Sequence, residues 1–129
     1  MDIHHHHEEL ILEIKEELKD IFENSSQGIY LYLDDIHKAC NKKYASMLGF
    51  NTPKEWEDIP EDVVGKTVVE KSQEGLISAY QRAMENLAGS AIEVIWKNKN
   101  GGEVATKVIL VPITFKGHIF ALHFVSEQN

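Results

Sequence analysis

The first patterned segment of the chain alternates apolar and charged residues with the rhythm of an amphipathic helix. Over residues 8–23 the sequence is EELILEIKEELKDIFE, with Ile11, Ile14, Leu18 and Ile21 at spacings of three and four residues. This spacing is that of a coiled-coil seam. Because an isolated helix of this length is marginal in water, its apolar stripe must be buried against another surface. The segment is therefore predicted to be a dimerisation helix.

The following residues predict two short strands and a capped helix. Residues 29–33 read IYLYL, a β-rich run that stops at Asp34-Asp35, and a second short strand is predicted over residues 36–40. Asn41 can cap a helix over residues 42–48 through its side-chain oxygen, and Gly49 ends that helix.

The middle of the chain is predicted to be helical and the end to be sheet. Short, irregular helices are expected between residues 52 and 68, and a longer one over residues 69–87. Three strands follow, over residues 92–97, 104–113 and 118–125, and the glycine-containing turns between them favour an antiparallel meander. The predicted fold class is α+β, with the order ββ, helices, βββ.

Composition restricts the classes of function. The 129 residues carry a net charge of −8 without a Lys/Arg-rich stripe, so nucleic acid is not expected as a partner. No apolar run approaches the roughly 20 residues that span a bilayer, and no secretory signal opens the sequence, so no membrane partner is expected. Cys40 is the single cysteine, and a cytoplasmic protein is predicted.

The histidine run His4–His7 could bind a metal ion. A second cluster of ligands is not evident in the sequence, however, and a run beside the first methionine is typical of a tag remnant or a disordered tail. Residues 1–7 are therefore assigned to such a tail, and no metal site is predicted.

The order of the elements and several local motifs over residues 24–126 resemble the PAS family. The motifs are Glu23-Asn24-Ser25 with Gly28-Ile29, Asn41 with Met47-Leu48-Gly49-Phe50, Val64-Gly65-Lys66-Thr67, and Asn100-Gly101 with Pro112-Ile113. The resemblance implies a five-stranded antiparallel sheet with helices on one face and a cavity between them. It also implies a sensor domain of signal transduction, of the two-component kind, with kinase or regulator domains as partners in trans or in a longer parent chain.

The cofactors of PAS domains have residue requirements that can be compared with this sequence. The Asn-Cys-Arg-Phe-Leu-Gln-like stretch of flavin-binding light sensors is absent, and residues 69–88 contain no histidine that could bind haem iron. Flavin and haem are therefore disfavoured, and the cofactor is unknown. A small, mostly apolar ligand is expected instead, in a pocket with the candidate lining Leu31, Cys40, Leu48, Leu76, Tyr80 and Met84.

Two alternatives to a ligand sensor stay open. The first is a protein–protein interaction module without a ligand, whose core is closed. The second, more remote, is a small α+β isomerase-like enzyme. Catalysis is not expected, because the acidic residues lie on solvated faces and loops and not as a converging pair. His123, between apolar neighbours in the last strand, is interpreted as a half-buried, hydrogen-bonded histidine.

A homodimer is predicted from the apolar residues that remain. In the strand over residues 104–113 both faces carry apolar side chains, and Tyr30 and Tyr32 alternate with the other apolar residues of the first strand. These outward residues and the helix stripe form one candidate dimer interface, which comprises Ile11, Ile14, Leu18, Ile21, Tyr30, Tyr32, Ile109 and Val111.

Overall fold

The computed structural model describes residues 3–128, and for residues 3–5 it describes the backbone alone. The elements are α1 (Ile3–Glu17), α2 (Lys19–Asn24), β1 (Gly28–Tyr32), β2 (Lys38–Cys40), α3 (Lys42–Met47), α4 (Pro53–Glu57), α5 (Val63–Thr67), α6 (Glu70–Asn86), β3 (Ser90–Lys97), β4 (Glu103–Phe115) and β5 (His118–Glu127). The predicted order ββ, helices, βββ is confirmed.

The five strands form one antiparallel sheet in the order β2-β1-β5-β4-β3, which confirms the predicted fold class. The last strand of the chain thus lies in the middle of the sheet, between β1 and β4. Lys116 and Gly117 join β4 to β5 and both have positive φ angles, 50° and 80°. Such a pair fits the two-residue hairpin turn that matches the twist of antiparallel strands.

Helices α3 to α6 cover one face of the sheet, here called the inner face. Its core contains the tryptophans Trp56 and Trp96, the tyrosine Tyr44 and apolar strand residues such as Val94 and Val108. These large side chains come from α3, α4, β3 and β4, so the inner core joins the helical segment to the sheet. Burial of each such side chain contributes on the order of 2 kcal/mol.

Helix α1 covers part of the opposite, outer face of its own sheet. Ile11 and Ile14 are buried in a cluster with Ile29 and Leu31 of β1 and with Phe120 of β5. The apolar stripe of the helix is therefore used within the chain. The prediction that Ile11 and Ile14 form a seam with a second copy is wrong to this extent, because both side chains are already buried.

The N-terminal helix also differs from the prediction in its extent. Two helices replace the single helix of residues 8–23, because regular helical geometry is interrupted at Leu18. The histidine run was assigned to a disordered tail, yet His4 to His7 are part of α1. Met1 and Asp2 of that assigned tail lie outside the described residues. Among the described helices, none has the length and apolar character needed to cross a membrane.

Asn41 fixes the junction between the N-terminal helices, β1 and α3. Its side-chain oxygen accepts hydrogen bonds from the backbone N–H groups of Tyr44, at 2.9 Å, and Ile29, at 3.0 Å. Its side-chain amide donates to the carbonyl oxygens of Phe22 and Gln27, at 3.2 and 3.1 Å. The predicted cap of α3 is confirmed. The same buried side chain also connects three other segments, so substitution by Ala removes four hydrogen bonds at once.

Candidate functional site

A cavity of about 120 Å³ lies between the inner face of the sheet and helices α4, α5 and α6. Its walls are mostly aromatic and aliphatic, comprising Tyr30, Tyr32, Tyr44, Trp56, Val63, Val64, Thr67, Val68, Leu76, Ile77, Tyr80, Trp96 and His123. An apolar cavity of about 150 Å³ is large enough to hold benzene. This cavity is somewhat smaller, so in its present shape it has room for a molecule no larger than about benzene, and not for a flavin or a haem.

Four aromatic rings pack against one another at the base of the cavity. The ring of Tyr44 lies with its centroid 4.8 Å from that of Tyr30, 5.1 Å from that of Trp56 and 5.4 Å from that of Trp96. The two tryptophan contacts are nearly perpendicular, at 83° and 86°. Such edge-to-face pairs are a preferred arrangement of aromatic rings and hold each other in place. The base of the cavity is therefore a rigid aromatic wall.

Two polar groups of this wall have no hydrogen-bond partner among the described residues, namely the Tyr44 hydroxyl and the Trp56 indole N–H. Both residues are almost completely buried. Burial raises the pKa of Tyr44 well above its usual value, and a weaker, poorly aligned contact from the Trp56 N–H to the Tyr44 oxygen lowers it by a smaller amount. Tyr44 is therefore a neutral hydroxyl that can donate a hydrogen bond.

The second tryptophan differs, because its polar group is paired within the protein. The Trp96 indole N–H donates to the Thr106 hydroxyl at 2.8 Å, and that hydroxyl donates to the Val94 carbonyl oxygen at 2.7 Å. Buried polar groups are normally satisfied in this way, because an unpaired one costs about 1–3 kcal/mol. The contrast with Trp56 identifies Tyr44 and Trp56 as the exceptional pair.

Two further tyrosines border the cavity and have engaged hydroxyls. The Tyr32 hydroxyl donates to the Asp35 carboxylate at 2.6 Å, and the Tyr80 hydroxyl donates to the Leu33 carbonyl oxygen at 3.2 Å. Burial, more than the nearby carboxylates, raises the pKa of both tyrosines. Their rings meet edge to face at 5.3 Å, so they form a wall between β1 and α6.

His123 contributes the remaining titratable side chain of the lining. Its ring stacks on Tyr30 with centroids 3.8 Å apart, and its Nδ1 lies 3.1 Å from the Ala121 carbonyl oxygen. Burial lowers the pKa of His123 to about 3, against the smaller effect of its backbone hydrogen bonds. The imidazole is therefore neutral near pH 7. The sequence predicted a half-buried histidine, and the side chain is fully buried.

Lys38 holds the α4 segment against β2, a role that the sequence analysis did not identify. Its ammonium group donates to the carbonyl oxygens of Asp35, Glu57 and Ile59, the last two at 3.0 and 2.7 Å, and lies 5.3 Å from the centre of the Trp56 ring. Burial lowers the pKa of Lys38, and the neighbouring carboxylates partly oppose this effect. The lysine therefore fixes the segment that carries Trp56.

Two of the six predicted pocket residues, Leu76 and Tyr80, line the cavity. Leu31 does not, because it lies on the outer face beneath α1. The other three belong to neighbouring packing. Cys40 and Leu48 are part of the inner core, and Met84 packs against a small cluster around Ala83 and Leu110. Burial raises the pKa of the Cys40 thiol far above its usual value, so this cysteine has little thiolate character.

The residues of the predicted dimer interface do not form one surface. Tyr30 and Tyr32 were assigned to the outer face, and this assignment is wrong, because both side chains line the cavity. The sheet residues Ile109 and Val111 do lie outward, with Ile109 45% exposed and Val111 half-buried. Leu18 packs beside the outer cluster, and Ile21 is exposed.

The comparison with known proteins rests on structure alone, because no protein-family model matches the sequence and a search of the curated proteins found no match. A PAS domain of a two-component sensor histidine kinase aligns with a TM-score of 0.67 and 14% identity, over 91% of this chain and 97% of the other. The PAS domain of an HTR-like protein from Haloarcula marismortui gives 0.64 and 17%, over 94% and 97%.

A third structure is the Vibrio cholera VqmA–ligand–DNA complex, with a TM-score of 0.63 and 12% identity over 87% of this chain and 50% of VqmA. The chain thus spans the full length of the isolated PAS domains and half of VqmA. These structures and this chain share the same architecture, a five-stranded antiparallel sheet with helices on one face. The chain has the PAS fold.

Proposed function

We propose that this chain is a sensor domain whose cavity binds a small, flat, neutral molecule with a hydrogen-bond acceptor. The observation that carries the proposal is that Tyr44 and Trp56, whose buried polar groups have no hydrogen bond of normal geometry among the described residues, both belong to the lining of a cavity of about 120 Å³. Leaving both donors unpaired costs stability, and a ligand with one or two acceptor atoms removes that cost. In this proposal, part of the binding free energy comes from giving these two donors a hydrogen-bond acceptor.

The lining also restricts the charge and size of the ligand. The tyrosine hydroxyls and the neutral His123 imidazole supply no formal charge near pH 7. Burying an ionised ligand without a counter-charge is costly, which favours a neutral one. Aromatic walls favour a planar, mostly apolar molecule of about benzene size, by comparison with known apolar cavities.

Strand β1 offers a route from the cavity to the N-terminal helix. Tyr30 and Tyr32 lie on its cavity side, and Ile29 and Leu31 lie beneath α1 on its other side. Because a strand has alternating faces, a shift of β1 on ligand binding changes the surface on which α1 rests. In this proposal α1 carries the signal to a kinase or regulator domain, in trans or in a longer parent chain.

Two similar proteins support this proposal by analogy. One solved PAS domain comes from a sensor histidine kinase, and VqmA is described in complex with a ligand. Catalysis is not part of the proposal, because the lining described above contains no carboxylate and no thiol. A cytoplasmic location is included in it, since the free, buried Cys40 needs no oxidising compartment.

The test is native mass spectrometry of the purified chain, with solvent extraction of any retained compound. Leu76→Trp places a larger ring in the cavity, whereas Leu12→Phe enlarges a side chain that is 66% exposed on α1 and serves as the control. We expect a small mass increment in the wild type and in the control, and none in Leu76→Trp. A ligand retained equally by Leu76→Trp would place the binding site elsewhere.

A second candidate property is homodimerisation through the part of the outer face, on β3 and β4, that α1 does not cover. Ile109 is exposed there and pairs across the strands with Ala91, and Ile95 and Val111 are partly buried neighbours. Glu93 pairs with Lys107 on the same face, so a two-fold axis can bring opposite charges of two copies together. If side chains fill the cavity in solution, the chain binds no ligand, and dimerisation as an interaction module becomes its main function.

A further inference from the structure

Histidines from three parts of the chain meet where the start of α1 crosses two turns of the sheet. His6 and His7 belong to α1, His37 to the turn between β1 and β2, and His118 to the start of β5. Asp34, in the same turn as His37, adds a carboxylate. None of these groups belongs to the lining of the cavity described above, and neither the PAS fold nor the proposed ligand site requires them.

The carboxylate and two of the imidazoles form a compact group of metal-ligating atoms. One such atom from each of His7, Asp34 and His37 lies within 4.8 Å of the other two. His37 Nδ1 lies 2.8 Å from one Asp34 oxygen, and His7 Nδ1 lies 3.7 Å from the other. Because His37 is only 5% exposed, the site has a fixed, buried side.

The spacing of the rings matches that of imidazoles around a tetrahedral metal ion. With metal–nitrogen bonds of about 2.0–2.1 Å, ring centroids lie roughly 5 Å apart and nitrogens roughly 3.4 Å apart. The ring centroids of His7 and His37 are 5.4 Å apart, and those of His7 and His118 are 5.5 Å apart. His6 Nε2 and His118 Nε2 are separated by 3.2 Å. The His7 ring therefore lies at a metal-like spacing from both the His37 ring and the His118 ring.

Hydrogen bonds of the β1–β2 turn hold Asp34 and His37 together. Asp34 Oδ1 accepts from the backbone N–H groups of Ile36 and His37, and His37 Nδ1 lies within 3.0 Å of both carboxylate oxygens. The turn thus presents an imidazole and a carboxylate side by side to His7 of α1, and both groups are good ligands of borderline divalent metals.

We propose that His7, Asp34 and His37 bind a divalent transition-metal ion of the zinc type, with His118 as the fourth ligand. The ion would connect the first turns of α1 to both the β1–β2 turn and the β4–β5 hairpin. Metal binding would thus fasten the N-terminal helix to the outer face of the sheet. From the sequence, the run His4–His7 was weighed as a metal ligand by itself, because His37 and His118 are 30 or more residues away from it.

The experiment titrates the EDTA-treated full chain with Zn²⁺ by isothermal titration calorimetry, and with Co²⁺ to record the visible bands of tetrahedral coordination. We expect one strong site per chain. His37→Ala and His118→Ala should weaken Zn²⁺ binding by about tenfold or more, as loss of metal-site residues does. Ile36→Ala, in the same turn but with an exposed apolar side chain, is the matched control and should leave binding unchanged.

The histidine run could bind metal by itself, and the variants distinguish this case. If His37→Ala and His118→Ala bind Zn²⁺ as tightly as the wild type, the run alone is the ligand and the proposed site is wrong. Melting curves in EDTA show whether the variants fold, and His37→Gln offers a side chain of similar size. In the wild type, Zn²⁺ must also shift the ring resonances of His37 in NMR spectra. Unchanged His37 resonances at saturating Zn²⁺ would overturn the proposal without any substitution.

Discussion

Removal of the Tyr44 hydroxyl should stabilise the ligand-free protein. The hydroxyl is buried without a hydrogen bond of normal geometry among the described residues, and the ring that carries it packs against three aromatic rings. Tyr44→Phe keeps those ring contacts and removes the hydroxyl together with its weak, poorly aligned contact to the Trp56 N–H. Since an unpaired buried donor costs about 1–3 kcal/mol, we expect the free energy of unfolding to rise by about 1 kcal/mol, the lower end of that range.

Thr106→Val is the matched substitution with the opposite expected sign. It also deletes one buried hydroxyl at nearly constant shape, but this hydroxyl accepts from Trp96 and donates to the Val94 carbonyl oxygen. Its loss leaves the buried Trp96 N–H unpaired, so the free energy of unfolding should fall by about 1–3 kcal/mol. The two variants differ in hydrogen bonding more than in size.

The assay is urea denaturation of protein that has been unfolded, dialysed and refolded to remove any bound compound. The slope of unfolding free energy against urea should be the same in all three proteins, so that midpoints compare directly. If Tyr44→Phe is destabilised as much as Thr106→Val, the Tyr44 hydroxyl has a partner in solution. The reasoning from unpaired donors to ligand binding would then fail.

Two further predictions concern pH and assembly. Burial lowers the pKa of His123 to about 3, whereas a histidine in the unfolded chain titrates near 6.5. The unfolded chain therefore gains a proton here first, and the free energy of unfolding falls as the pH decreases from about 6.5 toward 3. The fall is up to about 1.4 kcal/mol per pH unit. His123→Phe, which keeps a ring against Tyr30, should lose less stability over this interval in acid denaturation, and equal losses would contradict the assignment. For assembly, sedimentation at micromolar concentration should show a dimer for the wild type and for Leu12→Lys, and a monomer for Ile109→Lys. A monomeric wild type would exclude the dimer.

The sequence predicted the fold well because its strongest signals are local and agree with one another. Turn residues such as Asn41, Gly49 and Lys116-Gly117 fall where the chain ends a strand or a helix. Hydrophobic periodicity separated the strands from the long helix, whose predicted and observed bounds differ by one residue at each end. Local turn chemistry and periodicity together are enough to order the elements of a domain of this size.

The site was predicted less well because it depends on which face of a strand meets the helices. In β1, the set Ile29, Leu31 and the set Tyr30, Tyr32 are both apolar, so the alternation gives two faces without saying which is inside. The predicted faces are the reverse of the observed ones, so Leu31 lies under α1 and Tyr30 and Tyr32 line the pocket. With Leu31 placed in the pocket, the aliphatic surface of β1 on which α1 packs within the same chain was not recognised.

The polar features of the site left even less trace in the sequence. Trp56 lies in a short helix of an irregular segment, and its pairing with Tyr44 depends on how α4 packs on α3. Lys38, a strand residue with a charged side chain, gave no sign that three carbonyl oxygens would surround it. The Tyr44–Trp56 contact joins residues 12 positions apart, and the Lys38 contacts to Glu57 and Ile59 join residues 19 and 21 apart, beyond the reach of periodicity.

The most direct test of the cavity as a ligand site is the response of the two indole N–H groups to a bound compound. In NMR spectra of ¹⁵N-labelled protein, Trp56 and Trp96 give separate indole signals, and both residues line the cavity. Titration uses monocyclic aromatic compounds that carry one carbonyl group or ring nitrogen. With a binding compound, the Trp56 indole proton should move strongly downfield as it gains an acceptor, and that of Trp96, already bonded to Thr106, should move little. If every compound in the series leaves the Trp56 signal in place, or moves the Trp96 signal as far, the cavity does not bind ligands through its unpaired donors.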